Sequence, residues 1–276
     1  MISNWRNIVA RRNLLWELVV SELRTFSAGS SLGWIWWLLD PLLMMLIYWM
    51  IFSLVLGRGG DYAPYPIFIL CALIPWKHFA SCAGRATNVL RAKEPLIKSV
   101  PFPTIVLPLS LVLSGLVYFL FGFVILVAAA MLWPSPLHSG SIVPLVQVPM
   151  LMALQVAVIT GICLTLSSFG VLIRDLGSFM TYVLRIGFYV SPGLYGIDLV
   201  KDVLYTRFGA TLGAAGYGLY LLNPFALLIT GYRDAVFYGE FLPLGYWIIL
   251  FIEATVLLFT GHWIYQHYDR QVIKFL

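Results

Sequence analysis

Three cations stand inside apolar runs of this chain: Lys77 and Arg85 within residues 67–90, and Arg185 within 178–196. A charge placed in hydrocarbon is costly, so such groups face a protein interior or a water-filled cavity. The second run also carries Pro75-Trp76-Lys77-His78. Either that span breaks at Pro75, or it is continuous and turns Lys77 and Arg85 inward. Asp40, followed by Pro41, is either a helix-capping acid or a buried functional one. These groups suit binding rather than catalysis. Acids are few, and no spaced carboxylate pair suggests acid–base work. No His/Cys/Asp/Glu cluster has ligand spacing, so no metal is expected; His262 and His267 are five residues apart and share no helix face. The three cysteines, Cys71, Cys82 and Cys163, lie scattered in or beside apolar runs and read as small buried hydrophobes. No Gly-x-x-x-x-Gly-Lys-Ser/Thr loop is present, so ATP hydrolysis is not expected of this chain.

Two other stretches break the apolar pattern. Residues 91–103 hold Arg91, Lys93 and Lys98, the acid Glu94, the apolar pair Leu96-Ile97, and then Pro101-Phe102-Pro103. Proline cannot donate to a helix ladder and biases its predecessor away from the helix. The spacing predicts a brief helical turn, a rigid break and a restart. That is either an amphipathic knob suited to docking on another protein or an ordinary basic interhelical loop. Residues 197–243 hold Asp198, Lys201, Asp202 and Arg207, then two apolar pieces flanking Asn223-Pro224, ending at Tyr232-Arg233-Asp234. Each piece is too short to cross about 30 Å of hydrocarbon. Such pieces are re-entrant or interfacial and persist only when packed on protein.

The elements that must position these groups follow from composition. Of 276 residues, 61% are hydrophobic and only 11% charged, against roughly 45–50% and 25% for soluble domains. The fold class expected is an all-α integral membrane protein: six transmembrane helices, an N-terminal amphipathic interface helix, and re-entrant helices before the last span. The interface helix is 4–25, where Trp5, Ile8, Val9, Leu15, Trp16, Val19 and Leu23 recur at helical spacing among charges. The spans are 34–56, 67–90, 104–132, 142–173, 178–196 and 244–267. The N-terminus, with Arg6, Arg11 and Arg12, lacks a short apolar core before a cleavage site.

Net charge is +5. In a soluble chain this would suggest nucleic acid; here the cations lie mostly between spans, where they set topology and touch anionic lipid. Arg6, Arg11, Arg12, Arg24, Arg91, Lys93, Lys98, Arg174, Arg270 and Lys274 fall on one side, Arg58, Lys201, Arg207 and Arg233 on the other. That bias puts both termini and residues 91–103 in the cytoplasm. Ten Trp and 16% aromatics exceed what interfacial belts need.

Four stretches carry a resemblance covering nearly the whole chain. Ser31-Leu32-Gly33-Trp34-Ile35-Trp36-Trp37-Leu38-Leu39-Asp40-Pro41 is similar to the opening of span one in permease subunits of type-2 ABC exporters of lipid-linked polysaccharide (O-antigen, capsule, wall teichoic acid), with Asp40 where that family often has Asn. Leu73-Ile74-Pro75-Trp76-Lys77-His78-Phe79 with Arg85-Ala86-Thr87-Asn88 resembles its span two, Pro95–Pro103 its coupling segment, and Leu222-Asn223-Pro224-Phe225 through Gly231-Tyr232-Arg233-Asp234 its segment before the last span. The resemblance implies a homodimer bound to two copies of an ATPase subunit, which would hold the ATP and Mg; this chain would need no cofactor. Glu94, Pro95, Leu96, Ile97, Lys98, Val100, Pro101 and Phe102 would couple to the ATPase. The interface helix would add to that contact and line the lipid entrance, and residues 197–243 would form the outer gate. Trp34, Trp37, Tyr48, Trp49, Tyr189 and Tyr195 are candidates for an aromatic conduit on which sugar rings slide; each also suits a belt or packing role. Arg24, Arg85 and Arg91 would meet the diphosphate of a polyprenyl-diphosphate-linked glycan.

The resemblance therefore implies export of such a glycan across the plasma membrane, with no nucleic acid involved. A drug or small-lipid exporter of the wider class is the runner-up. A membrane enzyme on polyprenyl-linked sugar would need more gathered acids or histidines. An accessory scaffold would not need Lys77, Arg85 and Arg185 inside spans.

Overall fold

A computed structural model describes residues 12–27, 33, 35–51, 62, 64–100, 102–132 and 142–275. Among them the structure is helical, with no strand. The helices are α1 (Arg12–Ser27), α2 (Ile35–Trp49), α3 (Tyr65–Ala86), α4 (Val89–Ala92), α5 (Glu94–Ser99), α6 (Val106–Leu132), α7 (Val148–Leu172), α8 (Leu176–Val190), α9 (Ile197–Leu221), α10 (Pro224–Arg233) and α11 (Leu244–Phe275). A 3₁₀ turn, Val143–Gln147, leads into α7, and a π turn, Asp234–Tyr238, ends α10.

Among the described residues four helical segments are long and apolar enough to cross a membrane: Tyr65–Ala86, Val106–Leu132, Val143–Leu172 and Leu244–Tyr268. A fifth candidate is the bent pair Ile197–Leu221 and Pro224–Tyr238, with 84° between its halves. The chain is thus an all-helical, multi-pass membrane protein. Residues 4–11 of the expected interface helix and 52–56 of the expected first span lie outside the described residues.

The middle of the fold is α3, whose residues from Tyr65 to Trp76 are all buried. Pro75 does not break it: the helix runs unbroken to Ala86. Around it pack α2, α6, α7, α8 and α10. Its centre is tied by a buried polar chain. Tyr232 Oη donates to Gln155 Oε1 (2.7 Å), Gln155 Nε2 donates to His78 Nδ1 (2.8 Å), and His78 Nε2 faces the Val112 carbonyl (3.3 Å). Four helices, α10, α7, α3 and α6, thereby share one register. At a second crossing, α7 and α11 meet backbone to backbone. A Cβ on Gly261 would strike the Gly161 carbonyl, and one on Gly161 would strike that of Leu257. Small residues allow such an approach where no hydrophobic effect drives helices together.

Two boundaries differ from the sequence expectation. The expected fifth span ran to Gly196, but α8 stops at Val190 after 15 residues, about 23 Å. Ser191 is extended because Pro192 follows it. And α9 reverses on itself: Gly209 takes φ 74° and ψ 178°, and a Cβ on Gly213 would lie 2.8 Å from the Tyr205 Cα. In a continuous helix those positions would stand about 12 Å apart. The segment is therefore a hairpin of two short helices, followed by the expected break at Asn223-Pro224.

Candidate functional site

Three places gather the polar groups. The first is the segment joining α3 to α6. Lys98 Nζ donates to Glu94 Oε1 across one helical turn of α5 (2.6 Å). Pro95, Lys98, Ser99 and Val100 are exposed, whereas Leu96, Ile97 and Phe102 lean on the chain's own core. The apolar pair expected to dock on a partner thus mainly seats the segment, and the outward face belongs to its neighbours. Pro101 lies outside the described residues. Buried Glu22 of α1 holds both Arg85, at the end of α3, and Lys93 (3.2 Å), between α4 and α5. Arg91 Nη2 donates to the Val171 carbonyl in the last turn of α7 (2.7 Å). Of the three suggested diphosphate ligands, Arg85 and Arg91 therefore have protein partners, and Arg24 is exposed on α1. Glu22 escaped the sequence reading, where it was only a charge interrupting an apolar face. Nothing in the local pattern sets it apart from Glu17 on the same helix.

The second place is an aromatic groove between α2, α3 and α8, of about 340 Å³, lined by Tyr48, Trp76, Phe188 and Tyr189 together with Lys77 and Arg185. Tyr48 and Phe188 rings lie 5.9 Å apart, Trp76 and Phe188 5.8 Å. Lys77 is paired with Asp40, which stands exposed inside α2 rather than at its start, so Asp40 is an ion-pair partner and neither the expected cap nor a buried acid. Beyond the groove, α8 shows Phe179, Tyr182, Ile186 and Tyr189 outward at helical spacing. Of the proposed conduit aromatics, Tyr48 and Tyr189 converge here. Trp49 and Tyr195 are half-buried against the core, and Tyr195 Oη caps α8 by donating to the Tyr189 and Val190 carbonyls (3.0 and 2.8 Å). Trp34 and the Trp37 side chain lie outside the described residues.

The third is the loop Ser191–Gly196 after α8. Arg233, 2% exposed, holds it: Nη1 donates to the Tyr195 carbonyl (2.7 Å) and Nη2 to that of Gly193 (2.8 Å), while its guanidinium stacks 3.6 Å over the Phe68 ring. Tyr65 Oη donates to the Leu194 carbonyl (3.0 Å), the Gly196 amide donates to Tyr62 Oη (3.2 Å), and Asn223 Nδ2 donates to Ser191 Oγ (2.8 Å). The sequence reading placed Arg233 at the end of the second apolar piece, among the cations of the outer side, and gave it no structural role. The neglected signal was an arginine closing an apolar stretch, where burial demands a full set of acceptors.

The O-antigen export system permease protein RfbA of Myxococcus xanthus is 29% identical over 246 residues, 88% of this chain and 87% of the relative. The RfbA permease of Klebsiella pneumoniae is 28% identical over 249 residues, 90% of this chain and 89% of the relative. The chain is a homologue of polysaccharide-export permeases. The polysialic acid transport protein KpsM of Escherichia coli adds 31% identity over 84 residues, 30% of this chain and 33% of the relative. No family model matches the chain. The similarity, spread along nine-tenths of the sequence, bears out the resemblance to type-2 ABC permeases of the polysaccharide branch.

Proposed function

We propose that this chain is the membrane subunit of an ATP-driven exporter that moves an undecaprenyl-diphosphate-linked polysaccharide outward across the inner membrane. It acts as a homodimer with two copies of an ATPase that binds ATP and Mg, both termini lying in the cytoplasm. The observation that carries this reading is the groove in which Tyr48, Trp76, Phe188 and Tyr189 stand beside Lys77 and Arg185 on apolar helices. Aromatic faces hold sugar rings without fixed hydrogen-bond partners, and cations at that depth need a polar surrounding. Names of the relatives favour O-antigen, and over a shorter stretch polysialic acid, rather than teichoic acid. The headgroup would enter near Arg24, Arg85 and Arg91 on the cytoplasmic side, and residues 197–243 would gate the outer side.

The ATPase would seat on Pro95, Lys98, Ser99 and Val100. Co-expression with a polysaccharide-exporter ATPase, pull-down and an ATPase assay test this. Wild type should hold the ATPase in a stable complex, and Val100→Asp should release or uncouple it while the permease stays folded. A Leu96→Asp/Ile97→Asp variant is a poorer probe, because both side chains also pack inward. Absence of any wild-type complex would remove the energy source from the reading.

A further inference from the structure

One acid in the apolar helix α11 has no place in the exporter scheme. Glu253 stands nine residues after Leu244, about 14 Å along the axis, well inside the apolar segment. Both of its carboxyl oxygens are buried without a hydrogen-bond partner. A desolvated, unpaired carboxyl costs several kcal/mol on transfer scales, so the position is retained only where something compensates. Glu253 lines a cavity of about 630 Å³ between α3, α7, α8, α10 and α11, within the size range of small-molecule sites. Its wall is an aromatic cluster: Trp76 and Phe225 meet edge to face at 5.3 Å, and Phe79 stacks on Phe225 at 4.1 Å. No Lys, Arg or His lines it among the described residues. Of its other polar groups, Asn223 is satisfied: its Oδ1 accepts from the Phe225 amide and its Nδ2 donates to Ser191.

We propose that this cavity binds a lipophilic organic cation, an amphiphilic amine or onium ion, against Glu253 and the faces of Trp76, Phe79 and Phe225. Such a ligand needs one negative charge, π faces and apolar walls, and the cavity supplies these. An anion would find no cation, and a sugar would find one acceptor group where it needs several donors and acceptors. The mouth is flanked by the exposed apolar residues Val190, Ile252 and Val256, so the ligand would enter from the hydrocarbon. The site shares Trp76 with the α2–α3–α8 groove, but Glu253, Phe79 and Phe225 do not line that groove, so its failure would leave the exporter reading untouched.

Equilibrium dialysis of full-length protein in lipid nanodiscs with tritiated methyltriphenylphosphonium tests it, using the uncharged isostere 1,1,1-triphenylethane in parallel. Wild type should bind the cation saturably, and Glu253→Gln should weaken binding at least tenfold without altering uptake of the hydrocarbon. Glu17→Gln, an exposed acid on α1, should bind as wild type does. Should Glu253→Gln fold poorly, wild type alone decides: dicyclohexylcarbodiimide should label Glu253, as read by peptide mass, and the phosphonium ion should protect it whereas triphenylethane should not. Equal cation binding by wild type and Glu253→Gln, loss of binding in Glu17→Gln, or equal protection by the two compounds would overturn the proposal and leave a cavity filled by hydrocarbon.

Discussion

Arg233 shows how one side chain fixes a closure. Its donors reach the carbonyls of Phe68, Gly193 and Tyr195, and no carboxylate is paired with it among the described residues. A buried guanidinium with a planar fork can satisfy several carbonyls at once; an ammonium cannot match that geometry. Arg233→Ala leaves buried carbonyls unpaired, each costing about 1–3 kcal/mol. We expect a clear fall in the melting temperature of detergent-solubilised protein, and Arg233→Lys should not restore it. Melting of the Lys variant at the wild-type temperature would show that charge alone suffices. The residue was visible in the sequence as a cation, but its role was not. Only the return of residues 191–196 from forty positions earlier makes the guanidinium's partners evident.

Helices were legible where periodicity or bulk hydropathy decides alone: α3, α6, α7 and α11 fall on expected spans, and α5 on the expected knob. The hairpin in α9 was not: its first arm carries Asp198, Lys201, Asp202 and Arg207, its second is small and apolar, and the reversal rests on a positive φ at Gly209, one of four glycines between 209 and 218. Illegible too was the bond between α1 and the knob. Glu22 joins α1 to Arg85 and Lys93 across more than sixty residues, a pairing no local pattern announces. Both cations are about one-third exposed, so solvent screens the attraction, and loss of Glu22 should cost about 1–2 kcal/mol. Glu22→Gln should therefore loosen α1 without unfolding the bundle, seen as faster amide exchange across Arg12–Ser27 and little change in α7. The α7–α11 crossing should behave oppositely. At Gly161 a larger side chain meets backbone that cannot yield, so Gly161→Leu should abolish folded protein in size-exclusion chromatography, whereas Gly218→Leu, with open space around it, should be tolerated.

At the scale of the whole molecule, the chain leaves an apolar and aromatic surface on α8 that also carries Arg185. Hydrocarbon would satisfy Phe179, Tyr182 and Ile186, but not the guanidinium. A path shared with polar cargo satisfies both, if the aromatic rings contact sugar and the cation contacts water and hydroxyls. On the proposed path, the Lys77–Asp40 pair would keep the wall polar without trapping an anionic headgroup. It follows that substitutions here should separate binding of the ATPase from transport. Tyr189→Ala and Arg185→Ala remove groove-lining groups on the exposed face of α8 while sparing the knob. Each should assemble with the ATPase at wild-type level yet export severalfold less surface polysaccharide, measured by immunoblot of whole cells. Tyr189→Phe should retain export if stacking is what the position supplies. Full export by Arg185→Ala and Tyr189→Ala together would move the path away from this groove, and loss of the ATPase complex in either would make α8 an assembly surface instead.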